Sequence, residues 1–267
     1  MPDQTRSEWD STSYHRVSTP QVTWGKKVLA RLSLRGDETV LDAGCGTGLL
    51  TSELLELLPR GRVVAIDLSR SMLLTAKKHL ALDSPSAGRV NFLQVELPSL
   101  PFIAAFDGVF STATFHWVLD HDRLFHSVFQ ALRPGGWLCA QCGGGPNIAR
   151  FLARVSILAS TPPYARYLAD YKLPCQFSDA ETAAARLRRA GFLDIETSLE
   201  AAPTHFDSAE DYSHFIATAI LRTHLARLPN QSIRESFLNE LTQRAAADNP
   251  PYELDYWRLN LQAKKPG

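Results

Sequence analysis

Val40-Leu41-Asp42-Ala43-Gly44-Cys45-Gly46-Thr47-Gly48 is the stretch whose reading decides the fold. Val40 and Leu41 belong to a short apolar run. Three alternating glycines then make a tight turn, and Leu49 and Leu50 already begin a helix. The next apolar run, 62–66, ends at Asp67. A strand, a glycine turn that opens a helix, and an acid closing the next strand form a cradle for a nucleotide-like ligand. The glycines let the backbone approach it, and the acid accepts ribose hydroxyls. Dinucleotide-binding turns read G-x-G-x-x-G, and their last glycine packs helix against strand. Here the spacing is G-x-G-x-G, with Asp42 two residues ahead of Gly44.

Working outward, strand and helix patterns alternate from Thr39 to Cys142. Short apolar runs at 39–41, 62–66, 90–95, 106–110 and 137–142 read as strands. Stretches 49–58, 71–82 and 123–132 read as helices. Strand-helix-strand order implies right-handed crossovers, and so an α/β doubly wound, mostly parallel sheet. Pro59-Arg60-Gly61 and Arg133-Pro134-Gly135-Gly136 supply turns where this order needs them. Residues 24–34 form an amphipathic helix, with Val28, Leu29 and Leu32 on one face. Beyond Gly145-Pro146 the character changes. Residues 147–160 read as a helix, broken at Thr161-Pro162-Pro163. Ser178-Asp179-Ala180-Glu181 is a capping box for a helix ending at Gly191, and 195–199 is a strand. Ser208 caps a helix running through Arg227, 232–247 is another helix, and 256–263 alternates like a half-buried strand. The expected organisation is an N-terminal lid (1–38), a ligand-binding core (39–146), a cap insertion (147–177), and a C-terminal part (178–267) holding a helical insertion (208–247).

A chain of 267 residues with 45% hydrophobic side chains suits one large α/β domain with a cap. Its 28 basic and 28 acidic residues cancel. Nucleic-acid binders carry a basic footprint, so this balance disfavours that class. The opening MPDQTRSEWD has no apolar signal core, and no long apolar run suggests a membrane span, so the expected location is cytoplasmic. Cys139 and Cys142 make a lone C-x-x-C without a second ligand pair. They read as small hydrophobes in a buried strand, and no metal site is expected.

Taken in chain order, these motifs resemble the class I S-adenosylmethionine (SAM) methyltransferases. The resemblance implies a Rossmann-like sheet of seven strands, the last antiparallel beside strand six, with a helical cap. It also implies SAM as cofactor and S-adenosylhomocysteine (SAH) as product. Asp42 would lie near the methionyl amine, and Gly44, Cys45, Gly46 and Gly48 would form the turn. Asp67 would hold the ribose, while Leu68 and Met72 would flank adenine. In Val95-Glu96-Leu97-Pro98, Glu96 stands where the family usually has Asp, facing the adenine amino group, and Leu97 would offer its backbone N–H. Ser111 and Thr112 end strand four at the cofactor. His116, on the following loop, is the candidate for proton transfer. Tyr14 and Gln21 would close over the methionyl end.

The Trp9-Asp10…Tyr14 opening and the Phe115-His116-Trp117…Asp120-His121 loop are further similar to the methyltransferases acting on small carboxylic acids, the trans-aconitate and malonyl-carrier-protein type. The Leu221…Leu225…Leu228-Pro229 helix end is similar as well. This implies a small-molecule acceptor, with no nucleic-acid or membrane partner. A carboxylate acceptor needs no base and favours an arginine fork; Arg150, Arg166 and Arg222 lie in the expected cap. Methylation of oxygen or nitrogen in another metabolite, and SAM binding without turnover, stand as alternatives.

Overall fold

The computed structural model describes residues 19–81 and 87–267. Elements run in the following order. Helix α1 (Thr19–Leu29) precedes β1 (Thr39–Ala43), α2 (Leu49–Leu57), β2 (Arg62–Asp67) and α3 (Arg70–Ala81). Then come β3 (Val90–Gln94), β4 (Phe106–Thr112), α4 (His121–Ala131) and β5 (Leu132–Gly143). The cap helices α5 (Ala149–Ala159) and α6 (Ala165–Leu168) follow, and α7 (Ala180–Ala190) and β6 (Leu193–Ala201) return to the sheet. The strand β7 (Thr204–His205), helices α8 (Ala209–Phe215), α9 (Arg222–Arg227) and α10 (Gln231–Ala246), and β8 (Glu253–Leu254) lead to the last strand, β9 (Trp257–Lys264).

The seven-stranded sheet has the order β3-β2-β1-β4-β5-β9-β6. Pairs from β3 to β5 are parallel, and β9 enters antiparallel between β5 and β6. Strand order reverses between β1 and β4, which opens a crevice at the C-terminal edge, the usual ligand site of such sheets. Side chains alternate between two covered faces. On one face Val40, Val63, Ala65 and Phe110 pack with Leu54 and Leu55 of α2, Leu73 and Leu80 of α3, and Val28 of α1. On the other, Leu41, Val109, Leu138 and Leu261 pack with Leu124 and Val128 of α4 and Leu187 of α7. Cys139 joins the first cluster and Cys142 the second, so the two sulfurs lie on opposite faces of β5. Burial pushes both thiols up to about 11. Among the described residues no cluster of His, Cys, Asp or Glu suits a metal ion, and no helix is long and apolar enough to cross a membrane.

A third cluster makes the cap. Phe151 and Val155 of α5, Tyr212 and Phe215 of α8, and Phe237 and Leu241 of α10 pack together, with Trp24 of α1 joining them. The insertions 147–177 and 208–247 thus share one core.

Several boundaries differ from the sequence reading, each for a local reason. Helix α1 starts at Thr19 and ends at Leu29, earlier than its apolar pattern suggests. Past Leu32, Glu38 folds the chain into a turn by accepting from the backbone N–H groups of Arg35 (2.6 Å), Gly36 (2.9 Å) and Asp37 (3.1 Å). Asp179, not Ser178, caps α7, accepting from the Thr182 N–H at 2.7 Å. Ser178 is engaged with His121 and Arg186 instead. The helix capped by Ser208 does not run unbroken to Arg227. A π turn at Ile216–Ile220 interrupts it, and α9 starts afresh. Such turns recur at functional sites. The ribbon β7–β8 has no pattern long enough to announce it.

Gly48 is the αL N-cap of α2, with φ 81°. A Cβ there would sit 3.0 Å from the Ala76 Cβ of α3. It therefore lets α2 and α3 approach, and it does not line the cavity described below. It performs the packing task expected of a third glycine at other spacings. Gly48→Ala is expected to cost about 1–2 kcal/mol, the penalty of a left-handed non-glycine residue, plus the close contact. Urea unfolding measures this, and SAH affinity of the folded variant stays within about twofold.

Candidate active site

The turn after β1 is held from β2. The Gly44 and Cys45 N–H groups donate to the Ile66 carbonyl at 2.8 and 2.9 Å. The Gly46 N–H donates to Asp67 Oδ2 at 3.0 Å, and the Ser69 N–H to Oδ1 at 2.8 Å. Each carboxylate oxygen keeps further acceptor capacity, so Asp67 can hold the turn and still accept ligand hydroxyls.

Around this turn lies a cavity of about 360 Å³, within the roughly 300–1,000 Å³ range of small-molecule sites. Gly44, Gly46, Asp67, Leu68 and Met72 form one side, Glu96 and Leu97 another, and Thr112 a third. Gly46 faces open space: a Cβ there would meet nothing within 4 Å. A side chain would intrude where a ligand sits. Gly44 differs, because its Cβ would strike the Thr114 side chain, whose hydroxyl donates to the Gly44 carbonyl at 3.3 Å and the Thr112 carbonyl at 2.8 Å. Its glycine is demanded by the protein's own packing, while its backbone still lines the cavity.

Beside it is a smaller recess of about 60 Å³, bounded by Gln21, Asp42, Cys45 and Thr47, and again by Gly44 and Gly46. Asp42 is buried and accepts from Thr51 Oγ1 at 2.6 Å. Burial pushes its carboxyl up to about 7, against the Thr51 hydrogen bond and with the neighbouring Asp67 charge. Gln21 Oε1 is buried with no hydrogen-bond partner among the described residues.

A third space, about 40 Å³, adjoins both at Ala113. Ala113 itself has φ 53°, an uncommon conformation without glycine, fixed by its N–H donating to the Gln141 carbonyl at 2.8 Å. Gln21, Trp24, His116, Asn147, Tyr256 and Arg258 are among the residues around this chamber. The π turn brings Ala219 and Ile220 to its wall, and Arg222 and Thr223 to the larger cavity.

Of the residues singled out from the sequence, Gly44, Gly46, Asp67, Leu68, Met72, Glu96, Leu97 and Thr112 surround the large cavity. Gln21, Asp42 and Cys45 surround the recess. Tyr14 lies outside the described residues. Ser111 is not among the residues around the described spaces: its Oγ is buried and donates to the Ala43 carbonyl at 2.6 Å, tying β4 to β1. His116 lies in the 40 Å³ chamber and not in the large cavity. Its Nδ1 accepts from the Gly143 N–H at 3.3 Å, and its ring stacks on Phe177. Burial, Arg258 and His121 hold its pKa well below the usual histidine value. This favours a neutral ring, and with Nδ1 accepting from Gly143 the proton sits on Nε2 as a hydrogen-bond donor. Arg258 was invisible to motif reading. Its signal was a charge in the third position of the alternating stretch 256–263, where a buried neighbour pattern surrounds it.

Residues 40–136 match a family model described as a methyltransferase domain. A trans-aconitate 2-methyltransferase of Azoarcus sp. is 34% identical over 133 residues, half of each chain. The chain thus spans about half the length of the curated trans-aconitate relative it matches. An uncharacterized methyltransferase of Schizosaccharomyces pombe is 27% identical, covering 96% of this chain and 98% of its own. A Haemonchus contortus phosphoethanolamine N-methyltransferase, solved with phosphomonomethylethanolamine and SAH, shares the fold. Its TM-score is 0.62 at 19% identity, over 96% of this chain and 57% of its own. With the sheet order and the glycine turn, these findings define a class I methyltransferase fold. The methyltransferase-domain match covers residues 40–136, the part of the chain that holds the glycine turn and strands β2 to β4.

The open face of Gly46 and the acceptor atoms of Asp67 fit SAM. Asp67→Ala is expected to weaken SAH binding roughly 10–100-fold, the worth of one or two hydrogen bonds to a charged group, by calorimetry on folded protein. Asp42 gives a pH signature. Its carboxyl pKa in the folded protein lies above the ordinary 3.8, so the folded state binds more protons between those values. Its stabilising contribution is full below the ordinary value and is lost as pH rises through about 7. An ammonium docked beside it favours the charged form, so SAH affinity rises with pH through about 7. At that pH about half a proton is released per SAH bound. Calorimetry in buffers of different ionisation enthalpy measures the release, and Asp42→Asn removes it.

Proposed function

We propose that this chain transfers the methyl group of SAM to a small-molecule carboxylate, giving a methyl ester and SAH. The observation that carries the reading is the 40 Å³ chamber, which meets the cofactor cavity at Ala113 and Trp117 and is walled by cap residues. An acceptor reaching the transferable methyl from this side is enclosed by Trp24, Ile220 and Phe177, and this favours a small molecule over a macromolecular surface. The trans-aconitate relative favours a carboxylate.

SAM supplies an electrophilic sulfonium methyl. A carboxylate oxygen forms the new O–C bond as the S–C bond breaks, and the bonding pair stays on sulfur. Negative carboxylate and positive sulfonium become neutral ester and neutral thioether, so no proton moves. The protein's tasks are alignment and exclusion of water, and orientation alone supplies about 7–11 kcal/mol in favourable cases. A neutral His116 suits this chemistry. With Nδ1 engaged by Gly143, its remaining N–H orients an anionic acceptor and takes no proton. On this reading Asp42 and Gln21 hold the methionyl end, Asp67 the ribose, and Glu96 and Leu97 the adenine edge.

The test is incubation with methyl-labelled SAM and a panel of mono-, di- and tricarboxylic acids. The expected result is SAH formation with label in a product that alkali hydrolyses to methanol. Alkali-stable label, or SAH binding with no transfer to any acid, overturns the carboxylate reading.

A further inference from the structure

The chamber beside the cofactor cavity is too small for a whole acceptor. Its roughly 40 Å³ is a few times the ~10–15 Å³ that one water needs. That is room for a carboxylate and the carbon bearing it. The rest of the molecule must extend elsewhere.

Leu173, Cys175 and Phe177 line both this chamber and a further cavity of about 260 Å³ inside the cap. The larger space is bounded by Leu152, Val155 and Ala159 of α5, by Leu168 of α6, and by Tyr171. His224 also borders it. Burial lowers that ring's pKa to about 4, helped by Arg227, so it is uncharged at neutral pH. The charged residue of the lining is Lys172, which is exposed. The cap space is thus apolar over most of its wall.

The chamber is the charged end. Strand β9 runs antiparallel to β5, so its first residues reach the sheet edge where the parallel strands finish. Arg258 pairs with Gly143, the last residue of β5. Only 2% of Arg258 is exposed, and its guanidinium lies 4.4 Å over the Trp24 ring. Five N–H donors in a planar fork match the two oxygens of a carboxylate, and a ring face on one side holds that fork in plane. Gln21, Asn147 and His116 complete the polar part of the lining. Among the described residues no Asp or Glu borders either space.

The geometry points to an acceptor that is a monocarboxylic acid with an apolar tail: Arg258 anchors the carboxylate in the chamber, and the tail fills the cap cavity behind Leu173, Cys175 and Phe177. This deepens the carboxylate reading and rests on it. It also separates this chain from an enzyme for a tricarboxylate. A second or third carboxylate on the tail would be desolvated against Leu152, Val155 and Tyr171, where no buried cation meets it.

The experiment measures methyl transfer to straight-chain acids from propanoate to decanoate, with trans-aconitate alongside, on the intact chain. KM is expected to fall about fourfold for each added methylene, as burial of one CH₂ dictates, until the cavity is full. Ala159→Phe, which shortens that cavity, moves the plateau to a shorter chain. Arg258→Gln raises KM for every acid about tenfold or more, the loss of a charge-assisted fork. SAH affinity then holds within about twofold, whereas a merely structural arginine would lower both together. Arg258→Lys recovers only part of the loss. A KM indifferent to chain length, or preference for trans-aconitate over octanoate, overturns the tail assignment while the carboxylate reading stands. Transfer to no acid by SAH-binding protein overturns both.

Discussion

The carboxylate of Asp67 ties the end of β2 to the turn after β1, and the site is built outward from that tie. One oxygen receives the Gly46 N–H and the other the Ser69 N–H. The bond to Gly46 holds a turn in which three glycines have positive φ, a shape with little cohesion of its own. The bond to Ser69 holds the segment after β2, where Leu68 and Met72 line the cavity. One anion thus fixes both stretches of the cavity's glycine side. It must be an anion on a strand end, because a mobile loop would not keep both bonds at once. The parallel register of β1 and β2, with Ala43 beside Ile66, brings the two strand ends level.

Much of this was legible in the sequence because it rests on local rules. The G-x-G-x-G turn, the acid after the second apolar run and the alternation of strand and helix from 39 to 142 each depend on neighbours a few residues apart. What escaped depended on distant partners. Gly48 and Gly44 look alike to Gly46 in sequence. Yet Gly48 meets Ala76 of α3, Gly44 meets Thr114 beyond β4, and Gly46 meets open space. Ser111 looked like a strand-end contact and turned out to lock β4 onto β1 through the Ala43 carbonyl. His116 occupies a suggestive loop, but Gly143 and Phe177, both outside that loop, hold its orientation, and burial with Arg258 and His121 keeps its pKa low.

The cap was less readable for the same reason. Its helix α5 is separated in sequence from α8 and α10 by α7 and the sheet strand β6, and the three share a core only after folding. The sequence around 208–227 satisfies helix propensity throughout, so nothing local marks the π turn at Ile216–Ile220. The break has a tertiary cause and a tertiary effect. It resets the phase of the helix, so that Ile220 borders the chamber while Arg222 and Thr223, just beyond, border the large cavity. A regular helix turns by about 100° per residue, and an added residue in one turn shifts every later side chain by that angle.

Antiparallel insertion of β9 has the same character. A parallel strand between β5 and β6 would bring its C-terminal residues to the ligand edge; β9 instead brings Trp257 and Arg258 there and sends Lys264 to the far side, beside Leu193. Placing a guanidinium among buried side chains is costly in the absence of compensation. Part of that compensation is the Trp24 ring face. Trp24 sits on α1, which also supplies Gln21 to the recess. One short helix therefore touches the charged residue of β9, the recess beside Asp42 and the cap core at once. Its hold on the sheet, through Val28 in the core and, just past its end, Arg31 donating to Asn260 of β9 at 2.7 Å, fixes how the helix sits against the recess and the chamber. In the proposed transfer, which moves no proton, such positioning is the protein's main contribution to rate.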